Sequence, residues 1–216
     1  MSGLVEAVAR IARHESAARA VASVGQVTEA HAGDADHAVT VRLRDTGLIL
    51  SKVPVAVGVL GLAAIPAVDD LVLVVFCEGD RNAPVVVGRL YHPGLNPPDH
   101  ADGQVVLSLP AGESEPKVRV LVEPGENRAV IEIGGELRAE VTDKVVHLRI
   151  DDELSAKVDA GGGGRVELSA GGSSLTLKKN GDVTLKAAGK LELSGTEVAV
   201  NGTAKVAVKG ALVELN

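Results

Sequence analysis

A chain of 216 residues with 45% hydrophobic content is long enough to bury a core in one or two domains, yet only 1% of it is aromatic: one Phe, one Tyr and no Trp. The formal net charge is −7, with 8 basic against 11 acidic residues before position 100 and 14 against 18 after it, so neither part offers the cationic surface that sequence-independent nucleic-acid binding requires. A single Cys excludes an intrachain disulfide framework and fits a reducing compartment.

At the N-terminus, Glu6, Arg10, Arg13, Glu15 and Arg19 are mixed through the apolar positions. This predicts no signal peptide and a protein made in the cytoplasm. Leu4, Val8, Ile11, Ala18 and Ala22 fall near helical spacing behind Ser2, predicting a short amphipathic helix within residues 1–24. Such a stripe faces its own domain or docks on a partner.

From residue 25 to 95 the grammar is that of strands. GQVTEAH, AVTVRLRD, TGLILSKVPVAVGV, DLVLVVFCEGD and PVVVGRLYH are separated by Gly, Asp, Asn and Pro. About five strands without a strong helix predict a small Greek-key barrel of the OB type. The uncharged run over residues 53–68 contains two prolines and is shorter than the ~20 residues of a spanning helix, so it reads as buried strands and loops. HPGLNPPDHADG then marks a boundary, and the proline-broken stretch up to residue 128 reads as linker and transition, 96–128 in all.

Over residues 129–216 a short apolar-x-apolar pulse recurs. Pulses begin at Val166, Leu175, Val183, Leu191, Val198, Val206 and Val213, in steps of 9, 8, 8, 7, 8 and 7 residues. Weaker ones precede them at Ile131/Ile133, Leu137/Ala139/Val141, Val146/Leu148/Ile150 and Leu154/Ala156/Val158. Corners carry Gly, and no proline follows Pro124. Alternation sends residues i and i+2 to one face, so Val166, Leu168, Leu175, Leu177, Val183, Leu185, Leu191, Leu193, Val198, Val200, Val206 and Val208 are the predicted inner residues. No unit can bury its face alone, which predicts a stacked, solenoid-like structure. A single-chain β-helix, with about three pulses per coil, and three intertwined chains both fit this thin aliphatic interior.

The stretch VDDLVLVVFCEGDRNAPVVVGRLYH, residues 68–92, resembles the end of the OB-fold in the spike proteins of contractile tails, the VgrG and phage baseplate-assembly-protein-V families. Pro66, Val68, Asp70, Val72, Leu73, Val74, Phe76, Gly79, Asp80, Pro84, Val85, Val86, Gly88, Leu90 and Tyr91 carry the likeness. Asp69-Asp70 stands where a Gly-Asp pair is usual, a departure expected to touch one turn. The resemblance implies a mainly β homotrimer: an OB-fold collar followed by an intertwined, triple-stranded β-helix needle. It also implies a baseplate hub protein at the N-terminal end and transient contact with a target membrane. The chain would belong to a phage tail-like particle. Residues Leu212, Val213, Glu214, Leu215 and Asn216 would form a blunt end whose open strand edges invite a cap, which in this family is a PAAR-repeat tip protein.

No nucleophile elbow, H-E-x-x-H pair or phosphate-loop lysine occurs, so no catalytic residue, metal site or cofactor is expected. His31 and His37 flank an acidic turn with Asp34 and Asp36, without tight ligand spacing. His92 and His100 lie in the boundary segment, and no His follows His147 to build a His-x-His tip. Carboxylates such as Glu167 and Glu192 take outward positions. An OB-fold that binds nucleic acid stacks bases on aromatic rings in a basic groove; Phe76 and Tyr91 instead fall at strand positions and read as core. The expectation is therefore a structural, non-enzymatic spike. Its rival is a single-chain β-solenoid, either a bactofilin-like polymer or a carbohydrate-binding module.

Overall fold

In the computed structural model of the chain, residues 6, 21–33 and 36–214 are described. They fall into two compact units, Met1–Pro97 and Pro98–Asn216. Of the stretch expected to form an N-terminal helix, most lies outside the described residues, and Ala22 begins a strand.

Valine-rich runs of six to ten residues build the first unit: β1 (Ala22–His31), β2 (Ala38–Leu43), β3 (Ile49–Pro54), β4 (Leu71–Phe76) and β5 (Pro84–Leu90). They pair antiparallel in the order β3-β2-β1-β4-β5. The two edge strands then meet. Val55 bridges Val86 in parallel, and the Ala56 N–H donates to the Val86 carbonyl at 2.8 Å. This closes a five-stranded barrel of the expected OB type. Register shifts at Val27/Glu29, Val39/Val41 and Leu73/Val74 supply the bends that closure requires.

The core is almost all valine. Val27, Val39, Val41, Val53, Val72, Val74 and Val86 are at most 1% exposed, with Leu43 and Phe76 completing the cluster. β-branched side chains are stiff and suit a narrow pleated interior. At Gly25 a Cβ would stand 2.2 Å from Val41 Cγ1, so the β1–β2 approach demands glycine.

The Asp69 departure is accommodated rather than avoided. Asp69 takes φ +74°, where glycine is usual and Asp is among the better-tolerated substitutes. Its carboxylate accepts a hydrogen bond from Gln26 Nε2 at 3.0 Å, its N–H donates to the Val27 carbonyl, and the Asp70 carbonyl accepts from the Val27 N–H.

Residues 53–68 are buried only in part. Val53 and Pro66 are fully buried, but Val59, Leu60 and Leu62 are exposed at the tip of the β3–β4 connection. The Arg89 guanidinium holds that connection by donating to the carbonyls of Ala64 and Ile65. No helix among the described residues is long and apolar enough to cross a membrane.

The second unit departs from the expected braid. It is one nine-stranded antiparallel meander in chain order: β6 (Val105–Leu109), β7 (Val118–Glu123), β8 (Arg128–Ile133), β9 (Leu137–Val141), β10 (Val145–Ile150), β11 (Leu154–Asp159), β12 (Arg165–Ala170), β13 (Ser173–Lys178) and β14 (Val183–Lys186). Three corrections follow. The segment read as linker holds β6 and β7, because Pro110, Pro116 and Pro124 fall in the connections and not in the strands. Up to Lys186, the pulses are strands of four to six residues rather than three. Up to Lys186, each strand is laddered to its predecessor in the same chain, so this stretch is neither interlaced between chains nor wound into the parallel coils of a solenoid. The turns explain the reversal. Asn127, Gly134, Gly135, Asp151, Gly162, Gly163, Gly164, Gly171 and Gly181 take positive φ, the conformation that tight hairpins use.

Candidate functional site

The meander's registers sort its side chains into two faces, since cross-strand partners point the same way. One face is aliphatic at all but its last corner. Its middle row runs Leu107, Val120, Ile131, Ala139, Leu148, Ala156, Leu168, Leu175, Leu185 across all nine strands. A flanking row runs Val105, Val122, Ala129, Val141, Val146, Val158, Val166, Leu177, Val183. A third begins Leu109, Val118, Ile133, Leu137, Ile150, Leu154 and ends at the smaller Ala170 and Ser173.

Among the described residues, nothing covers this face. The exposure of its large side chains reaches 64% at Val183, while Val118, Val120, Leu137 and Leu175 are half-buried. A monomer in water rarely leaves so extended an apolar surface bare. The predicted inner residues Val166, Leu168, Leu175, Leu177, Val183 and Leu185 lie together here, as direct cross-strand pairs such as Leu168 with Leu175. Leu191, Leu193, Val198, Val200, Val206 and Val208 are exposed and belong to no strand. Of the predicted tip residues, Leu212, Val213 and Glu214 are exposed, while Leu215 and Asn216 lie outside the described residues.

The opposite face carries charge. Arg128 Nε donates to Glu140 Oε1 at 2.8 Å and its Nη1 to Glu123 Oε2 at 2.7 Å. Arg138 reaches both Glu132 and Glu140, and Arg119 approaches Glu132 at 3.6 Å. Gln104 donates to the second oxygen of Glu123. This lattice spans β7, β8 and β9 around Val130, which is 2% exposed and is the meander's buried aliphatic residue among those described. The Arg128 hydrogen bond holds the Glu140 carboxyl below the usual glutamate range, and Glu140 in turn raises the Arg128 guanidinium.

A folded-state pKa lowered in this way gives stability that is complete above the unfolded value and is lost as the pH falls through the lowered one. Glu140→Gln is therefore expected to cost about 1 kcal/mol at neutral pH, an amount typical of a partly exposed charge network. The difference from wild type should shrink as the pH falls into acid. Urea unfolding at pH 7 and at pH 3 checks both points; a cost that is equal at the two pH values would refute the assignment.

Sequence reasoning found the i, i+2 face from β8 onward but missed its extension into β6 and β7, and it missed the charge lattice. The signal for the lattice was present: Arg and Glu alternate with aliphatic residues at positions 128, 132, 138 and 140.

Two of the candidate metal residues in the barrel make other bonds, while the buried His37 Nε2 has no hydrogen-bond partner among the described residues. His31 Nε2 lies 2.9 Å from Thr40 Oγ1, and Asp36 accepts from Lys52 Nζ at 3.1 Å. Asp34 is outside the described residues. Among the described residues, no three His, Cys, Asp or Glu side chains gather as metal ligands would. In the boundary segment, the His92 ring accepts from the Gly94 N–H and the His100 ring contacts the Pro98 carbonyl. Of the two rings expected in the core, Phe76 is buried. Tyr91 is 59% exposed, because it lies just past the end of β5, where the barrel no longer covers it.

The barrel has known counterparts. Residues 23–91, which run from β1 through Tyr91, match the family described as the Type VI secretion system/phage-baseplate injector OB domain. The barrel is thus similar to the OB domain of baseplate injectors, a likeness that supports a structural role for this chain in a contractile injection system.

Proposed function

We propose that the chain is the non-enzymatic central spike of such a system, a VgrG-like homotrimer that punctures a target envelope when the sheath contracts. Three meanders turn their aliphatic faces toward a shared axis, so that each copy covers the surface its neighbours leave bare. The charged faces then point to solvent. Three is the copy number that the family resemblance implies.

The observation that carries this reading is the uninterrupted aliphatic face over nine strands, in a chain whose barrel matches an injector OB domain. Burial of each large side chain contributes about 1.5–3 kcal/mol, and the rows repeat in every copy. Continuous ladders and a packed axis resist bending, as a puncturing device requires. The N-terminal end docks on a baseplate hub. Leu212, Val213, Glu214, Leu215 and Asn216 at the other end receive a PAAR-repeat tip protein, and contact with the target membrane is transient.

The test is the mass of the purified chain by light scattering at micromolar concentration. A value near three times 22.0 kDa is expected. A stable folded species of one chain, or of two, overturns the trimer.

A further inference from the structure

The barrel closes at one bridge and then parts. The Val55 N–H donates to the His37 carbonyl on the β2 side at 3.0 Å, and the Ala56 N–H donates to the Val86 carbonyl of β5 at 2.8 Å. Main-chain groups of successive strand residues point to opposite sides, so Pro54, like Ala56, faces β5. By the same alternation Pro84 faces β3, because the Ala83 carbonyl accepts from the Cys77 N–H on the β4 side. The next two rungs of the parallel ladder would need an N–H from Pro54 to the Pro84 carbonyl and one from Pro84 to the Lys52 carbonyl. Proline has no N–H. Both rungs are missing, and the Pro84 carbonyl faces the gap without a main-chain donor among the described residues.

Two further features hold the gap open. On one side, Ser51 and Lys52 stand together opposite Thr40 in a bulge, with Lys52 at φ +50° and its Nζ donating to Asp36 Oδ2 at 3.1 Å. On the other, β4 passes into β5 through Glu78 at φ +55° and Gly79 at φ +78°. A left-handed conformation costs a non-glycine residue about 1–2 kcal/mol, and strain of this kind gathers at ligand sites. The result is a cavity of about 380 Å³, lined by Ser51, Val53, Cys77, Asn82, Pro84 and Val85 among others. Ligand sites occupy roughly 300–1,000 Å³. Asn82 Nδ2 donates to Asp80 Oδ1 at 3.1 Å, which leaves the Asn82 Oδ1 as a second acceptor.

We infer that the gap between β3 and β5 binds an extended peptide segment of a partner protein. The segment supplies the N–H groups that Pro54 and Pro84 lack and lays its apolar side chains against the aliphatic walls. Addition of a strand to an open sheet edge is a general mode of peptide recognition. A small anion is a poorer fit, because Lys52, the cation lining the cavity, is already engaged by Asp36. The site lies wholly in the barrel and does not depend on the trimer proposed above.

Cys77, the chain's single cysteine, is exposed and lines the cavity, so its reactivity reports occupancy. The probe is the acetylated and amidated pentapeptide Thr-Val-Thr-Val-Thr, added at millimolar concentration to the full chain. It should slow alkylation of Cys77 by N-ethylmaleimide about tenfold. The same peptide N-methylated throughout keeps its side chains but has no main-chain donor, and it should leave the rate unchanged. Pro54→Val and, separately, Pro84→Val each restore a donor and let a rung form. Each should abolish the effect of the peptide while circular dichroism shows the barrel still folded. The two peptides on the wild type decide the matter if either variant fails to fold. Equal shielding by both peptides, shielding by neither, or full shielding in the folded variants overturns the site. A Cys77 already shielded in the chain alone assigns the gap to this chain or a second copy of it and overturns the partner.

Discussion

Leu148→Asp is expected to abolish assembly. Leu148 sits in β10, the middle strand of nine, in the middle aliphatic row, with Ala139 and Ala156 as its cross-strand neighbours. It is the large side chain at the centre of the face, flanked there by two alanines. In a trimer, three carboxylates would be drawn toward one apolar axis. Each copy loses about 1.5–3 kcal/mol of apolar burial, and a desolvated, unpaired charge adds several kcal/mol more. Summed over three copies, the penalty is on the order of 10 kcal/mol or above, enough to leave dissociated chains at any practical concentration. Sedimentation velocity reads the mass, and hydrogen exchange over β1 to β5 reports whether the barrel stays folded. Arg149→Asp is the control. It lies one residue away on the charged face, opposite Arg138, and should leave the mass unchanged. Equal dissociation in both variants, or in neither, would remove the aliphatic face from the account.

The second large effect belongs to the barrel. Phe76 is the chain's single Phe; it is 6% exposed and lies within a cluster made otherwise of valine and leucine. Phe76→Ala leaves a cavity that short, stiff valines fill poorly, at a cost of about 3–5 kcal/mol. Domains of this size are stable by only about 5–15 kcal/mol, so the variant barrel should unfold at a much lower urea concentration. Tyr91, the single Tyr, stands at the end of β5 and reports on this unit by its fluorescence. A loss below about 1 kcal/mol would show that the ring is not a keystone of the barrel.

Much of the barrel is legible in the amino-acid order. Its five strands follow from valine-rich runs cut by Gly, Asp and Pro, and Val72, Val74, Phe76 and Val86 are buried where the motif around them says they should be. The closure is not legible, because it depends on a lone bridge between Val55 and Val86, residues far apart in sequence with no local mark. The aliphatic face could be read for the same reason that strands alternate: Val166 and Leu168, or Leu175 and Leu177, have only one side to share. Whether those pulses pair within a chain or between chains could not be read. A six-residue strand with a two-residue turn and a wound corner both repeat near eight residues. They differ in the sign of φ at glycine, as at Gly171 against Gly202, and the letter G is the same in both. The prolines misled for a related reason. Pro110, Pro116 and Pro124 break the pattern on paper, yet they fall between β6, β7 and β8 and interrupt no ladder.

The hairpin construction of the meander also governs how such a protein can be lengthened. Each positive-φ turn sends the polypeptide back the way it came, so inserting or deleting a lone strand would deliver every later one running the wrong way. Descent can therefore adjust this region only by whole pairs, such as Leu154–Asp159 together with Arg165–Ala170. Related chains of different reach should therefore differ in this region by whole hairpins.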